Sequence, residues 1–222
     1  MQMEFTDEQQ MFREAVREFT KREILPYHEQ WDKDGIVSRD IWLKAGENGF
    51  LCMDVPEEYG GMEVDDYRFN AILAHETAYM GVTGPGFGIQ NELVVPYLMA
   101  FGTEEQKQKY LPKMATGELI TALAMTEPNA GSDLQGAQAT AVRDGDHYIL
   151  NGQKTFISNG ILSDMAIVYC KTDASKGAKG TSLLLVERDM EGFERGRNLE
   201  KIGMHAQDTA ELYFKDVKVP VE

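Results

Sequence analysis

Apolar and polar positions change rhythm once along this chain. In the first half the apolar residues recur at helical spacing. Phe12, Ala15, Val16 and Phe19 fall at i, i+3, i+4 and i+7, one face of a helix. Thr6 followed by Gln9 reads as a capping box at its start, and Pro26 marks its expected end, because proline lacks the N–H that a helix interior needs. A second helix is predicted over 39–47, closing at Gly49. GFLCMDVPEEYGG (49–61) reads as a connector. Asp65 or Asp66 provides a cap for a third helix running to about Met80. Residues 91–101 and 104–110 predict two more, separated by Gly102.

Near Ile120 the period shortens to two. Polar and apolar residues alternate from Ala137 to Val142. Arg143-Asp144-Gly145-Asp146 is a hairpin turn signal, and 147–150 is the return strand. Asn151-Gly152 reads as a further turn. Residues 165–171 and 182–187 are short apolar strands. Ala210, Leu212 and Phe214 alternate with Glu211, Tyr213 and Lys215, giving one buried and one wet face. Ser175–Gly180 reads as an exposed loop. Helices first and strands second predict an α+β, multidomain fold: an N-terminal α-helical bundle over 1–119, followed by an antiparallel β-barrel or sandwich domain over 120–222.

Composition narrows the function. The chain has 222 residues, 42% apolar and 27% charged, with a formal charge of −15. That charge excludes a nucleic-acid binder with a broad basic face, and any anionic ligand must be held by local donors. The acidic start MQMEFTDEQQ lacks the apolar run of a signal peptide, so a cytoplasmic location is expected. The longest apolar-rich stretch, 93–101, contains Pro96 and is too short to span a bilayer. Cys52 and Cys170 read as buried free thiols in a reducing compartment.

Common chemistries fail on spacing. His75-Glu76 begins a zinc-protease pattern, but Tyr79 stands where the second histidine belongs. The four histidines are scattered, and no Cys/His cluster points to a metal. There is no G-x-S-x-G elbow. GPGFG (84–88) does not match the dinucleotide fingerprint and follows a helix. What remains is TEPNAGSDLQG (126–136). Its proline, glycines and short polar residues suit a turn. They equally suit a backbone that approaches an anionic group, with Thr126 and Ser132 as donors. Asp133 places a negative charge there, and can instead fix the turn by bonding local backbone. The residues alone leave both readings open.

A second block, NGQKTFISNG (151–160), follows. Paired with TEPNAGSD at this spacing, it strongly resembles the acyl-CoA dehydrogenase family, whose first block has the form A-M-T-E-P-x-A-G-S-D. Ala124–Asp133 matches it throughout, Asn129 being the free position. GFLCMDVPEEYGG, GTEEQKQKYLPKMATGE (102–118) and KIGMHAQDTAELYFKDVKVP (201–220) extend the resemblance along nearly the whole chain. FISNG and AQDTAEL look most like the long-chain subtype.

The resemblance implies FAD as cofactor and an acyl-CoA thioester as substrate. Leu123 and Met125 would offer backbone groups to the flavin ring, and the Thr126 hydroxyl would bond a ring carbonyl. Gly131 and Ser132 would lie at the FAD pyrophosphate, with Ser132 also close to the acyl-CoA. Phe156 stands where many relatives carry tryptophan against the flavin face, and Ile157 and Ser158 would continue that contact. Gly84–Gly88 would help line the end of the acyl pocket. The family removes a proton from the α carbon and a hydride from the β carbon, passing electrons to an electron-transfer flavoprotein, and its members assemble as dimers or tetramers. Family members are also longer, so the resemblance implies a fragment that lacks the C-terminal helical bundle and its catalytic glutamate. No catalytic residue and no metal ligand is therefore assigned. The alternatives are a short flavin- or acyl-CoA-binding protein, half of a split enzyme, or an acyl-CoA oxidase-like flavoenzyme of the same fold.

Overall fold

The computed structural model describes residues 4–221. The chain divides into two compact units: the residues up to Glu118 together with Glu200–Gln207, and Leu119–Leu199 together with the residues from Asp208 onward.

The first unit is helical. α1 (Asp7–Phe19) opens with the expected capping box: the Thr6 hydroxyl accepts from the Gln9 amide at 3.3 Å, and the Thr6 amide donates to Gln9 Oε1 at 3.1 Å. Pro26 does not end this helical run. A π-helical segment, Thr20–Ile24, leads directly into α2 (Leu25–Asp34), where Pro26 occupies the first turn. A second π segment, Ile89–Val94, leads in the same way into α5 (Val95–Phe101), with Pro96 in its first turn. In a regular helix the proline ring would strike the carbonyl four residues back. The wider π turn moves that carbonyl away, so both prolines are accommodated without a break.

α3 (Asp40–Glu47) and α4 (Arg68–Tyr79) lie close to their predicted bounds. Asp66 acts at the start of α4, accepting from the Arg68 amide at 3.0 Å and from Gln9 Nε2 at 2.9 Å. α6 (Glu104–Ala115) has its own capping box, from Thr103 and Gln106, and runs past Pro112.

α1 packs on α4 through aromatic edges, Phe12 meeting Phe69 with ring centroids 5.1 Å apart. Phe50 receives the edges of Phe12 and Phe19. The connector that carries Phe50 is held by one buried amide: Asn91 Nδ2 donates to Phe50 O at 2.8 Å, and Asn91 Oδ1 accepts from Cys52 N at 3.0 Å. Buried backbone polar groups need such partners. Glu76, with only 1% of its side chain exposed, takes Arg13 Nε and Arg17 Nε at 2.5 Å each, clamping α4 to α1.

The second unit is a curled sheet of seven strands: β1 (Thr121–Ala124), β2 (Thr140–Asp144), β3 (His147–Ser158), β4 (Met165–Lys171), β5 (Thr181–Glu187), β6 (Phe193–Asn198) and β7 (Thr209–Pro220). Their order is β1-β4-β2-β3-β7-β6, with β5 also on β4. The predicted hairpin at Gly145 joins β2 to β3. The sheet is mixed rather than wholly antiparallel, because β1 pairs β4 in parallel and β2 meets β4 in parallel at Thr140–Lys171. Alternation shows which face of a strand is buried and carries no information on its direction.

Asn151-Gly152 is not a turn either. β3 runs through it with a register shift, and Gly152 has φ 150°. A Cβ there would fall 2.6 Å from the Ala139 Cβ, so glycine permits a close approach of two backbones. The core of this unit is made of small and branched residues, among them Ala122, Ala124, Leu150, Ile157, Val168, Leu212 and Val217.

Candidate functional site

The two sequence blocks meet in the second unit. β1 leads into the 126–136 stretch, which turns at once: the Glu127 amide donates to Ala130 O at 2.8 Å and the Ala130 amide to Glu127 O at 3.1 Å, around Pro128-Asn129. Leu134–Gly136 then form a short 3-10 turn. The start of this loop lies along the end of β3, where the Thr155 amide donates to Thr126 O at 2.9 Å.

β3 is bulged at this point. Its register against β7 slips between Lys154 and Ile157. Strict alternation would place these two residues on opposite faces. The bulge turns both inward, with Lys154 fully buried and Ile157 2% exposed. Phe156 is driven outward in the left-handed region, at φ 59°, with 68% of its surface exposed. That conformation costs a non-glycine residue about 1–2 kcal/mol. Strained backbone positions of this kind cluster at functional sites. Asn159 follows, also left-handed; its Nδ2 donates to Thr121 O at 3.0 Å and its amide to Asp208 O at 3.1 Å. The Asp208 carboxylate accepts from the amides of Ile161 and Leu162.

Beneath this surface lies a buried ion pair. Lys154 Nζ donates to Glu127 Oε1 at 2.8 Å and to Met125 O at 2.9 Å. Glu127 Oε1 also accepts from the Ala139 amide at 3.0 Å, and Oε2 from the Gln138 amide at 2.6 Å. Burial pushes the Glu127 carboxyl up, but Lys154 and the two amides outweigh it and hold its pKa below the ordinary value.

The expected contact residues lie in or beside these two blocks, and most keep some exposed surface. Leu123, Met125, Thr126 and Ser158 are half-buried, whereas Phe156, Gly131 and Ser132 are exposed. Gly131 lies open, for an added Cβ would meet no atom within 4 Å. Ile157 is the exception: its side chain belongs to the sheet core, leaving only its backbone for a ligand. Met125 O and Thr126 O are engaged by Lys154 and Thr155.

The sequence reading missed Lys154, Asn159 and Asp208. The available signal was a lysine between Gly152 and Phe156 in an otherwise strand-like run, 27 residues from its carboxylate partner. In the helical unit, the Gly84–Gly88 stretch borders a cavity of about 70 Å³ through Pro85, Phe87 and Gly88. Gly84 itself serves packing, since a Cβ there would come within 2.5 Å of Val37. Among the described residues no group of three or more His, Cys, Asp or Glu is placed to hold a metal ion, and no helix is long and apolar enough to cross a membrane.

Comparison with known proteins accounts for both units. Residues 6–118 match the family described as Acyl-CoA dehydrogenase, N-terminal domain, and residues 122–217 match Acyl-CoA dehydrogenase, middle domain. The mitochondrial long-chain specific acyl-CoA dehydrogenase of Rattus norvegicus is 49% identical over 218 residues, 97% of this chain and 50% of that protein. The crystal structure of an acyl-CoA dehydrogenase from Geobacillus kaustophilus superimposes with a TM-score of 0.95 at 54% identity, covering 99% of this chain and 58% of that one. A glutaryl-CoA dehydrogenase from Mycobacterium smegmatis, solved in complex with FADH2, has a TM-score of 0.87 at 29% identity, covering 97% of this chain and 54% of that one. The chain thus spans about half the length of the curated relatives it matches. It belongs to the acyl-CoA dehydrogenase family.

Proposed function

We propose that this chain forms the flavin- and acyl-CoA-contacting part of an FAD-dependent acyl-CoA dehydrogenase acting on long-chain thioesters, with an electron-transfer flavoprotein as acceptor. The observation that carries the reading is the outward Phe156 ring, held in a strained bulge one hydrogen bond away from the Thr126 segment. The M. smegmatis relative was solved with FADH2, and the residues here fit such a group. Phe156 offers an apolar face for ring stacking. The Thr126 hydroxyl supplies a donor, and open Gly131 and exposed Ser132 let a phosphate approach the backbone. When bound, FAD would accept the hydride from the substrate's β carbon.

Glu127 is unsuited to the role of general base. Its carboxylate is buried, held by one ammonium and two amides, and its pKa lies below the ordinary value. A base must accept a proton from substrate, and this one has neither access nor affinity for it. Glu127 therefore serves to hold this surface in shape, and the proton acceptor lies elsewhere.

The test is spectroscopic. FAD is titrated into the chain while flavin fluorescence and the visible spectrum are recorded, and a long-chain acyl-CoA is then added without oxygen. Saturable binding with a perturbed flavin spectrum and no bleaching supports the reading. Absence of binding together with absence of any spectral change would overturn the flavin assignment. Bleaching on addition of acyl-CoA would show that a base is present in the chain.

A further inference from the structure

The buried Glu127–Lys154 pair is not needed to fill space. Two charges withdrawn from water forfeit several kcal/mol of hydration, and a well-packed apolar pair of the same volume is often as stable or more so. What an apolar pair lacks is direction. Lys154 Nζ reaches Met125 O and the Glu127 side chain, the residues on either side of Thr126. Glu127 in turn holds the amides of Gln138 and Ala139, where the loop rejoins the sheet. Lys154 itself lies two residues before Phe156, at the start of the bulge. One ion pair thus fixes both ends of the 126–136 stretch and the strand segment that turns Phe156 outward. The ammonium also sits 5.5 Å from the centroid of the Tyr169 ring, a favourable place for a cation.

We infer that Glu127 and Lys154 are positioning residues that set the Thr126 segment against Phe156 and so preform the flavin-facing surface. The inference rests on the proposed function for what the surface binds, and on the geometry alone for what the pair holds. Neither residue touches the ligand. Their effect is to remove the ordering cost that a loose loop would add to binding.

The test uses the neutral double variant Glu127→Gln/Lys154→Met, which keeps volume and one acceptor for the 138–139 amides, and the single variant Glu127→Gln, in which buried Lys154 can shed its proton rather than stay charged and unpaired, as a second arm in case the double variant does not fold. Amide hydrogen exchange is measured along the chain, with FAD titration in parallel. The expected result is faster exchange at Thr155, Gln138 and Ala139, with β4 and β5 amides as protected as before, and FAD affinity weaker by about tenfold or more. A general loss of packing would instead raise exchange through β4 and β5 as well. A folded variant whose exchange at those three amides matches the parent overturns the inference. Faster local exchange in the variant, with no FAD binding by the parent chain, supports the positioning role and overturns the flavin reading. Faster local exchange with unchanged FAD affinity overturns the role in preforming the surface.

Discussion

The amide of Thr155 donates to the carbonyl of Thr126 across 2.9 Å, although β1, which leads into Thr126, and β3, which holds Thr155, share no ladder. This bond joins the loop after β1 to the bulged end of β3. The backbone beside Phe156 is thereby tied to the Thr126 segment, and the neighbours Lys154, Thr155 and Glu127 are buried.

Phe156 tests the division between stability and binding. Its φ of 59° favours glycine, while its exposed ring contributes little burial. Relief of the left-handed strain is worth about 1–2 kcal/mol, and the added chain entropy of glycine costs about 0.5–1 kcal/mol. Phe156→Gly is expected to leave unfolding free energy within about 1 kcal/mol of the parent while FAD affinity falls. Urea unfolding and flavin titration on the same preparation check both halves. A loss of stability well beyond that margin would contradict the account of the bulge.

Glu76 gives the helical unit a pH dependence of known sign. Burial raises its carboxyl, but Arg17, Arg13 and His75 outweigh it, and its pKa lies below the ordinary 4.5. Glu127 is shifted in the same direction. A carboxylate with a depressed folded pKa contributes stability that is complete above its unfolded value and is lost as pH falls through the folded value. Stability is therefore expected to hold down to about pH 5 and to decline below pH ~4.5. Glu76→Gln should cost about 2–3 kcal/mol near neutrality, low for a buried pair because both arginines keep contact with water. The difference from the parent should shrink toward acid. Urea titrations at about pH 7 and about pH 4 measure it.

Gly152 is expected to tolerate no side chain. Gly152→Val combines an unfavourable φ with a Cβ 2.6 Å from that of Ala139. The expected loss is about 2 kcal/mol or more, read as a lower urea midpoint with an unchanged m-value.

The two thiols should be inert in the native state. Burial pushes the Cys170 thiol up to about 12 and that of Cys52 higher still. Little thiolate exists at about pH 8 to attack a reagent. Ellman's reagent is expected to find neither thiol in the folded chain and both in denaturant.

Much of the fold could be read locally. The Thr6–Gln9 box, the strand at 165–171 and the hairpin at Gly145 are each specified by residues within a few positions of one another. The readings that failed depend on partners far along the chain. Pro26 reads as a stop until the π turn before it is seen. Asn151-Gly152 reads as a turn until Ala139 is placed against it. The parallel pairing of β1 with β4 leaves no trace in alternation. At the site, the outward residues fell within the two quoted blocks, whereas the Glu127–Lys154 bond links them through space. A buried lysine is uncommon, and Lys154 shows itself as one only once Glu127 and Met125 O are placed against it.

The paired π turns constrain length as firmly as identity. Each holds one residue more than the helical count around it requires. Deleting one residue from Thr20–Ile24 would close the wide turn to a regular α-helical one and leave the segments before and after it in phase. Trp31, 8% exposed in α2, would keep its place, but the Pro26 ring would return to the carbonyl one turn back. The surplus residue and the proline are therefore coupled, and a one-residue gap can be absorbed here only together with replacement of Pro26.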